Sequence, residues 1–472
     1  MPTLKEKLQK KVWWSPRGWC NILVLAFIIL CLLGLFLVYP IVQNYVKKNK
    51  TVSGRNPTHV YQPLHPDPLP IDPDTPEEAR TYTTFDGKQY QLVFSDEFNA
   101  DNRTFKAGDD KYWEAVDLWY WPTMDLEYYK PEQVYTEGGN LILRMDKTPT
   151  GTLDYRSGML QSWNKFCFQG GLIEVNVSMP FKAGVSGLWP AAWTLGNLGR
   201  AGYGATTDGL WPYTYDACDV GVLINQTNSA LSYLPGQRLN KCVCTGDHPS
   251  PGKGRGAPEI DIFEASAGSN PNGATVSQSL QVAPFDHRYA INSDHVTTYS
   301  NDTTINIYVG GPYQQALSGV TPVDPAWFGG TGFQTYGFQY NTGKEGDITW
   351  FVGGKPTWGM GHGVVGPNSI SGVDQRVVPE EPMYIIFNLG MAPGFSYVDL
   401  EHLEFPAAMY VDYVRVYQDP DNIAVSCDTP DFPTAEYINN HPIAYHNNNV
   451  TRWYKAEYET PDYSLDNKCP AP

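Results

Sequence analysis

The hydrophobic and polar positions divide the chain into an apolar segment near its start and a long series of short runs separated by turns. Residues 22–42 read ILVLAFIILCLLGLFLVYPIV and hold no charged side chain. At a rise of about 1.5 Å per residue, a helix of this length spans about 31 Å, the thickness of a bilayer's hydrocarbon core. The pattern therefore predicts one membrane-spanning helix.

A cleaved signal peptide is the alternative interpretation of this apolar run. The apolar region of a signal peptide is about 7–15 residues long and ends at a small-residue cleavage site. This run is longer, no such site follows it, and Trp and Tyr residues flank its ends, as they do at membrane interfaces. We therefore assign residues 1–18 to a cytosolic tail and residues 19–42 to a transmembrane signal-anchor.

After residue 83 the pattern changes to short β-rich runs bounded by turn-forming residues, such as QYQLVFSDEF, GGLIEVNVSMP and MYVDYVRVYQ. No amphipathic pattern longer than two helical turns follows residue 80. Many short strands with frequent turns predict an all-β fold, a jelly-roll β-sandwich, over residues 83–418. The polar, Pro-rich residues 43–82 predict an extended stalk. Residues 419–472 read as an irregular, Cys-containing extension that packs on the domain.

Charge and processing signals indicate where the body of the protein lies. Residues 1–50 carry a net charge of +7 and the remainder −24, which sum to −17, and such an acidic body argues against nucleic acid as a partner. Sequons and an even number of cysteines beyond the apolar run favour a luminal or extracellular body in an oxidising compartment, with single-pass type II topology. The expected glycosylation sites are Asn102, Asn176, Asn225, Asn301 and Asn449, and the disulfide candidates, whose pairing the sequence leaves open, are Cys167, Cys218, Cys242, Cys244, Cys427 and Cys469.

A cluster of carboxylates carries the candidate chemistry. Glu259, Asp261 and Glu264 lie within six residues and are interleaved with bulky apolar side chains. In a strand, Glu259 and Asp261 point to one face, and one bulge residue before Glu264 brings the third acid to the same face. Crowded carboxylates raise each other's pKa, which sets a proton donor beside an ionised base, as glycoside cleavage requires. The alternatives are an exposed acidic strand and a calcium site.

This segment resembles a known signature. Glu259-Ile-Asp261-Ile-Phe-Glu264 is similar to the E-x-D-x-x-E motif of glycoside hydrolase family 16, the laminarinase-like β-glucan enzymes. LVFSDEFN at 92–99, GGLIEVNVSMP at 170–180, GLWPAAWTLG at 187–196 and MYVDYVRVYQ at 409–418 resemble further segments of that family in the same order. An insertion at 196–258, the anchor and the Cys-containing extension resemble the fungal subfamily associated with β-1,6-glucan synthesis.

The resemblance implies a role for each acid and for the whole chain. Glu259 would be the nucleophile, Glu264 the general acid/base and Asp261 the assisting carboxylate of a retaining hydrolase or transglycosylase that builds or remodels cell-wall β-glucan. The expected location is the membrane of the secretory pathway or the plasma membrane, with β-glucan and cell-wall synthesis proteins as partners. A non-catalytic glucan-binding or assembly factor on the same fold is the alternative.

Aromatic side chains are the expected sugar-binding surface. Trp189 and Trp193 are four residues apart and share one face of an extended segment, and Trp163 and Trp211 are further candidates. Plain core packing is the alternative for all four, because Trp is highly buried on average. No metal site is expected, because the histidines show no ligand spacing and the Cys pair at 242–244 lacks a partner pair. No cofactor is expected either, and no phosphate-binding loop is present in the sequence.

Overall fold

The computed structural model describes residues 16–39, 66–182, 184–226, 231–268 and 273–465. The chain divides into two units, Met1–Asn56 and Pro57–Pro472, which are described separately. In the first unit, helix α1 (Pro16–Leu33) continues into a π-helical turn at Gly34–Val38. These 23 residues are long and apolar enough to cross a membrane, and none of their side chains is buried. The orientation of this helix in a membrane stays a prediction.

The second unit is built from two antiparallel sheets. Among the described residues, ten strands form one sheet: β1 (Thr81–Thr83), β2 (Gln89–Asp96), β5 (Val134–Glu137), β6 (Asn140–Met145), β9 (Gly171–Ser178), β14 (Val296–Thr298), β17 (Gln334–Asn341), β18 (Asp347–Val352), β19 (Lys355–Gly361) and β21 (Ala407–Gln418). Eight form the other: β3 (Glu114–Ala115), β8 (Met159–Gln161), β10 (Trp189–Gly196), β12 (Glu259–Ala267), β13 (Ala274–Val282), β15 (Thr304–Ile305), β16 (Gln315–Val323) and β20 (Met383–Gly390).

The two sheets pack face to face around one hydrophobic core. Phe338 and Trp350 of the ten-stranded sheet belong to the same buried cluster as Ile260 and Ile262 of the eight-stranded sheet. Neighbours in the eight-stranded sheet follow the order β15-β16-β13-β12-β10-β20-β8-β3, so β12 lies in its centre. The expected all-β fold class, a jelly-roll β-sandwich with one N-terminal apolar helix, is confirmed.

Smaller elements surround this sandwich. Two short sheets pair β4 (Glu127–Tyr129) with β7 (Tyr155–Ser157) and β11 (Val243–Thr245) with β22 (Asp462–Tyr463). The α-helices of the body, as far as the structure describes it, are single turns or little more: α2 (Gly204–Thr207), α3 (Ala435–Asn440) and α4 (Pro442–His446). Turns of 3-10 helix lie at Glu77–Arg80, Trp121–Thr123, Pro131–Gln133, Val220–Val222, Ser293–His295, Pro325–Trp327, His362–Val365 and Trp453–Ala456.

Disulfides attach the C-terminal extension and brace the insertion. Cys167 pairs with Cys427, which links the domain to the extension, and Cys218 pairs with Cys242 within residues 196–258. Cys244 is also in a disulfide. Cys469, the remaining candidate, lies outside the described residues. The extension, expected to be irregular, contains α3 and α4, and it packs on the domain as predicted because Tyr445 and Trp453 lie in one buried cluster with Cys167 and Cys427.

Candidate active site

The three acids of the candidate site lie on the central strand of the eight-stranded sheet. Along β12, Glu259 and Asp261 face a cavity, Ile260 and Ile262 are fully buried in the core, and Glu264 faces the cavity again. A β-bulge turns Glu264 to the same face as the other two acids. Asp261 is opposite Ser279 of β13 and Glu264 is opposite Ser277, so two residues of β12 oppose the single residue between these serines. The bulge that the spacing predicts is confirmed.

Buried polar groups hold this bulge in place. Gln278 of β13, which is fully buried, donates its amide to the backbone oxygen of the bulged Ile262 (3.0 Å) and to that of Phe351 in the facing sheet (3.1 Å). The indole of Trp350 donates to the backbone oxygen of Asp261 (2.9 Å). Gln278 of the same sheet and Trp350 of the facing sheet therefore satisfy carbonyl groups that the interrupted ladder leaves open, and this fixes the direction in which the acids project.

A cavity of about 950 Å³ opens over these acids. Its walls come from β10, β12, β13, β16 and β20, from residues 120–125 and from residues 201–211 of the insertion. None of the described residues that line it is Lys, Arg or His. Within the described lining, the three carboxyl groups therefore face no cationic side chain, and neutral donors are their partners.

Each acid accepts a hydrogen bond from a neutral side chain. Trp211 of the insertion donates its indole N–H to Glu259 Oε2 (2.6 Å), and Trp189 donates to Glu264 Oε1 (3.1 Å). The Ser279 hydroxyl and the Gln281 amide both donate to Asp261 Oδ2, at 2.6 and 2.9 Å. These donors favour the ionised form of each carboxyl and fix its orientation.

Burial and mutual repulsion act against ionisation. Burial raises the pKa of Glu259 well above its usual range, and the charges of Asp261 and Glu264 raise it further. Burial, followed by the charge of Asp261, does the same for Glu264. Burial raises the pKa of Asp261 to about 6, against the effect of its hydrogen bonds. Three carboxyls with raised pKa values in one cluster keep their protons to higher pH than isolated carboxyls do, which is a condition for combined acid and base chemistry.

The structure brings three of the four expected tryptophans to the cavity. Trp189 and Trp193 line it from β10, and Trp211 lines it from the insertion. Trp189 also stacks on Phe395, with ring centroids 4.2 Å apart. Trp193 is 8% exposed, and its indole donates to Asn388 Oδ1 (2.8 Å). These three side chains add apolar surface to the cavity beside the acids.

Trp163 does not lie at the cavity, contrary to the expectation. Its ring stacks against Tyr445 of the C-terminal extension, the Arg200 guanidinium lies 4.2 Å from its centroid, and its indole donates to the backbone oxygen of Asn197. Packing of the extension accounts for this tryptophan. The sequence could not distinguish a buried packing role from a sugar-binding role for Trp163, since both roles favour a large aromatic side chain.

A second pair of acids beside the cavity was missed by the sequence analysis. Asp125 lines the cavity, and Glu127, two residues on, is fully buried. Asp125 accepts hydrogen bonds from Thr123 and from the Tyr129 hydroxyl, which in turn accepts one from the Asn388 amide. Burial raises the pKa of Asp125 to about 6, and burial and the charge of Asp125 raise that of Glu127 well above its usual range.

The five sequons differ in accessibility. Asn102, Asn225, Asn301 and Asn449 are exposed. Asn176 lies within β9 between two neighbouring strands, and its side-chain amide donates to Asp412 Oδ2 (2.8 Å). Four positions are therefore open to a modifying enzyme, and the fifth is held in the sheet.

The fold and the site define a class: a β-sandwich protein with an acidic, tryptophan-lined cavity over the centre of one sheet. The family model of "Beta-glucan synthesis-associated protein SKN1/KRE6/Sbg1" matches residues 3–469. The chain therefore belongs to this family of β-glucan synthesis-associated proteins.

Two relatives from Saccharomyces cerevisiae illustrate the similarity. KRE6, a β-glucan synthesis-associated protein, is 46% identical over 407 residues, which are 84% of this chain and 56% of KRE6. SKN1, described in the same words, is 47% identical over 84% of this chain and 52% of SKN1. The chain thus spans about half the length of these relatives. Among solved structures, the laminarinase catalytic domain from Thermotoga maritima is 20% identical, with a TM-score of 0.42, over 70% of this chain and 98% of that domain.

Proposed function

We propose that this protein is a membrane-anchored, retaining β-glucan hydrolase or transglycosylase that acts in cell-wall glucan synthesis. The observation that carries the proposal is the bulged strand β12, which directs Glu259, Asp261 and Glu264 into one cavity. Family membership supports β-glucan as the substrate class. The specific proposal for linkage is β-1,6-glucan, which the subfamily resemblance suggests.

The mechanism we propose is a double displacement. A Glu259 oxygen attacks the anomeric carbon, the glycosidic C–O bond breaks, and Glu264 gives its proton to the leaving oxygen. Glu264 then takes a proton from the acceptor hydroxyl, whose oxygen displaces Glu259 from the anomeric carbon. Water as acceptor completes hydrolysis, and a sugar hydroxyl completes transglycosylation.

Asp261 adjusts the protons of this reaction. It lies between the two glutamates along β12, close enough to Glu259 for each carboxyl to affect the pKa of the other. We assign one shared proton to the Glu259–Asp261 pair and one proton to Glu264. When the shared proton rests on Asp261, Glu259 is free to attack while Glu264 stays protonated. Two of the three carboxyls are then neutral, which fits their raised pKa values.

Product analysis tests this function. The purified protein is incubated with β-1,3- and β-1,6-linked gluco-oligosaccharides, and products are separated by size. Shorter products indicate hydrolysis and longer ones transglycosylation. Glu264→Gln should lower the rate by about 10²–10⁴-fold through loss of the acid, and Glu259→Gln should abolish turnover. Glu404→Gln, at an exposed carboxylate away from the cavity, is the matched control and should change nothing.

Stereochemistry supplies a second test of the roles. With an activated β-glycoside, Glu264→Gln should still form the covalent intermediate at Glu259, and added azide should release a β-glycosyl azide. An α-configured azide would overturn the assignment.

A non-catalytic glucan-binding protein is the second candidate. The observation in its favour is Trp211, whose indole sits within 2.6 Å of the carboxylate that must attack. Under this alternative, wild type would bind glucan without converting it, and both Gln variants would fully complement a cell-wall defect. Failure of the Gln variants to complement would favour catalysis.

A further inference from the structure

An exposed group of tyrosines lies at the mouth of the cavity, away from the three acids. Residues 306–314, which connect β15 to β16, read NIYVGGPYQ and hold no charged residue. Tyr308 and Tyr313 line the cavity yet are 76% and 67% exposed. A group of exposed aromatic side chains of this kind indicates a binding surface, because soluble proteins rarely leave such groups in contact with water.

The hairpin that carries these rings is anchored by backbone hydrogen bonds. The Asn306 amide donates to Ser318 O (2.8 Å), and the Ala316 amide donates to Val309 O (3.1 Å). The rings thus project from a paired continuation of the sheet. A rigid support lowers the entropy lost when a ligand binds.

The insertion adds a third ring to this surface. The Tyr233 amide donates to Pro312 O (3.3 Å), and the Tyr233 ring lies 5.5 Å from that of Tyr313, tilted by 32°. Tyr233 is 48% exposed. We call Tyr233, Tyr308 and Tyr313 the tyrosine platform.

The platform extends from β15 and β16, on the far side of β13 from the acids. In the sheet, β13 lies between β12 and β16, so β16 is two strand spacings, about 10 Å, from the catalytic strand. Cavity-lining residues between them are polar, among them Ser279 and Gln281 of β13 and Gln315 of β16. Trp193 lies on the opposite side of β12. A polar path therefore leads from the reacting centre to an aromatic surface.

We propose that the tyrosine platform is a subsite that binds an extended β-glucan chain beyond the sugar units at the reacting bond. This inference rests on the proposed function for its ligand class, an uncharged β-glucan. The exposed rings offer apolar faces to the C–H faces of glucose, and the lack of charge in the hairpin suits an uncharged polymer. The platform would make the protein selective for long chains over short ones.

Binding to chains of different length tests the platform. The full chain in detergent micelles is titrated calorimetrically with β-1,3- and β-1,6-linked gluco-oligosaccharides of two and of about eight units, in a Glu259→Gln background that prevents turnover. Tyr308→Ala and Tyr313→Ala should each weaken binding of the long chain by about five- to tenfold, the size of one aromatic contact. Binding of the disaccharide should change by less than about twofold.

Three variants separate stacking from other effects. Tyr308→Phe and Tyr313→Phe keep the rings and should bind the long chain like the parent. Tyr454→Ala removes an exposed tyrosine, 69% exposed, that does not line the cavity, and should have no effect. Equal losses with Phe and Ala would overturn stacking as the cause. If Tyr308→Ala and Tyr313→Ala leave the affinity for the long chain unchanged, the subsite proposal is overturned while the proposed function stands.

Two further outcomes are decisive. If the parent protein binds neither oligosaccharide of either linkage, the proposed function fails, and the ligand class of the platform fails with it. If Tyr308→Ala or Tyr313→Ala converts a dimer into a monomer in sedimentation experiments, the platform contacts a second copy of the chain and the glucan subsite is overturned.

Discussion

Replacing Trp211 with Phe removes one hydrogen-bond donor from the proposed nucleophile while keeping an aromatic ring on the cavity wall. The indole donates to Glu259 Oε2 at 2.6 Å. A hydrogen bond to a charged group contributes about 1.5–3 kcal/mol, and one pKa unit corresponds to about 1.4 kcal/mol. The substitution removes stabilisation of the ionised form only, so it should raise the pKa of Glu259 by about 1–2 units.

The assay is the pH dependence of kcat/KM, whose acid limb reports the group that must be ionised in the free enzyme. In Trp211→Phe this limb should move to higher pH by about 1–2 units, while the rate at the optimum changes little. Trp163→Phe is the matched control, because that indole donates to a backbone oxygen outside the cavity. An unmoved limb in Trp211→Phe, or the same displacement in Trp163→Phe, would refute the reasoning.

Three further predictions concern stability and processing. Cys167→Ala combined with Cys427→Ala removes the disulfide that closes a loop of 260 residues. The greater chain entropy of the unfolded state should then lower the free energy of unfolding by about 5–6 kcal/mol. A loss below about 1 kcal/mol in denaturant titrations would contradict this. Glu127 has a raised pKa in the folded state, so its contribution to stability is present below its unfolded pKa of about 4.3 and is lost as pH rises. Glu127→Gln should therefore reduce the fall in thermal midpoint between pH 5 and pH 7.5, and an unchanged fall would count against the prediction. Endoglycosidase should increase the gel mobility of protein from its native host. Asn176→Gln should leave the mobility of the glycosylated band unchanged, because Asn176 is hydrogen-bonded within the sheet. A mobility shift in that variant would contradict the expected pattern.

Strand alternation made the geometry of the acids predictable from sequence. Ile260 and Ile262 had to enter the core, and this placed Glu259 and Asp261 on the opposite face. The odd spacing to Glu264 then required a bulge, which the pairing of β12 with β13 shows. Local pattern sufficed because the period of a strand and the burial of its apolar residues fix the direction of every side chain.

Local pattern failed where contacts come from distant parts of the chain. Asp125 and Glu127 flank Leu126 in an ordinary alternating segment, and nothing there distinguishes them from a solvated strand edge. Their burial depends on neighbours such as Tyr129, whose hydroxyl meets Asn388, 259 residues further along the chain. The one sequence signal for this pair is that the two acids lie in a run of aromatic residues. This indicates an unusual environment for the acids but does not place them beside the cavity.

Residues 201–211 of the insertion form one wall of the candidate site, and residues 419–465 of the extension support this wall. Helix α2 of the insertion lines the cavity, and the extension supports it, since the Ala205 amide donates to Val450 O (3.0 Å). Asp208, at the end of this helix, accepts hydrogen bonds from the Arg452 guanidinium and the Trp453 amide, at 2.8 and 3.0 Å. Trp211 follows three residues later. Cys427 lies in the same buried cluster as Trp453, so its disulfide to Cys167 attaches to the domain the layer that supports the wall beside Glu259.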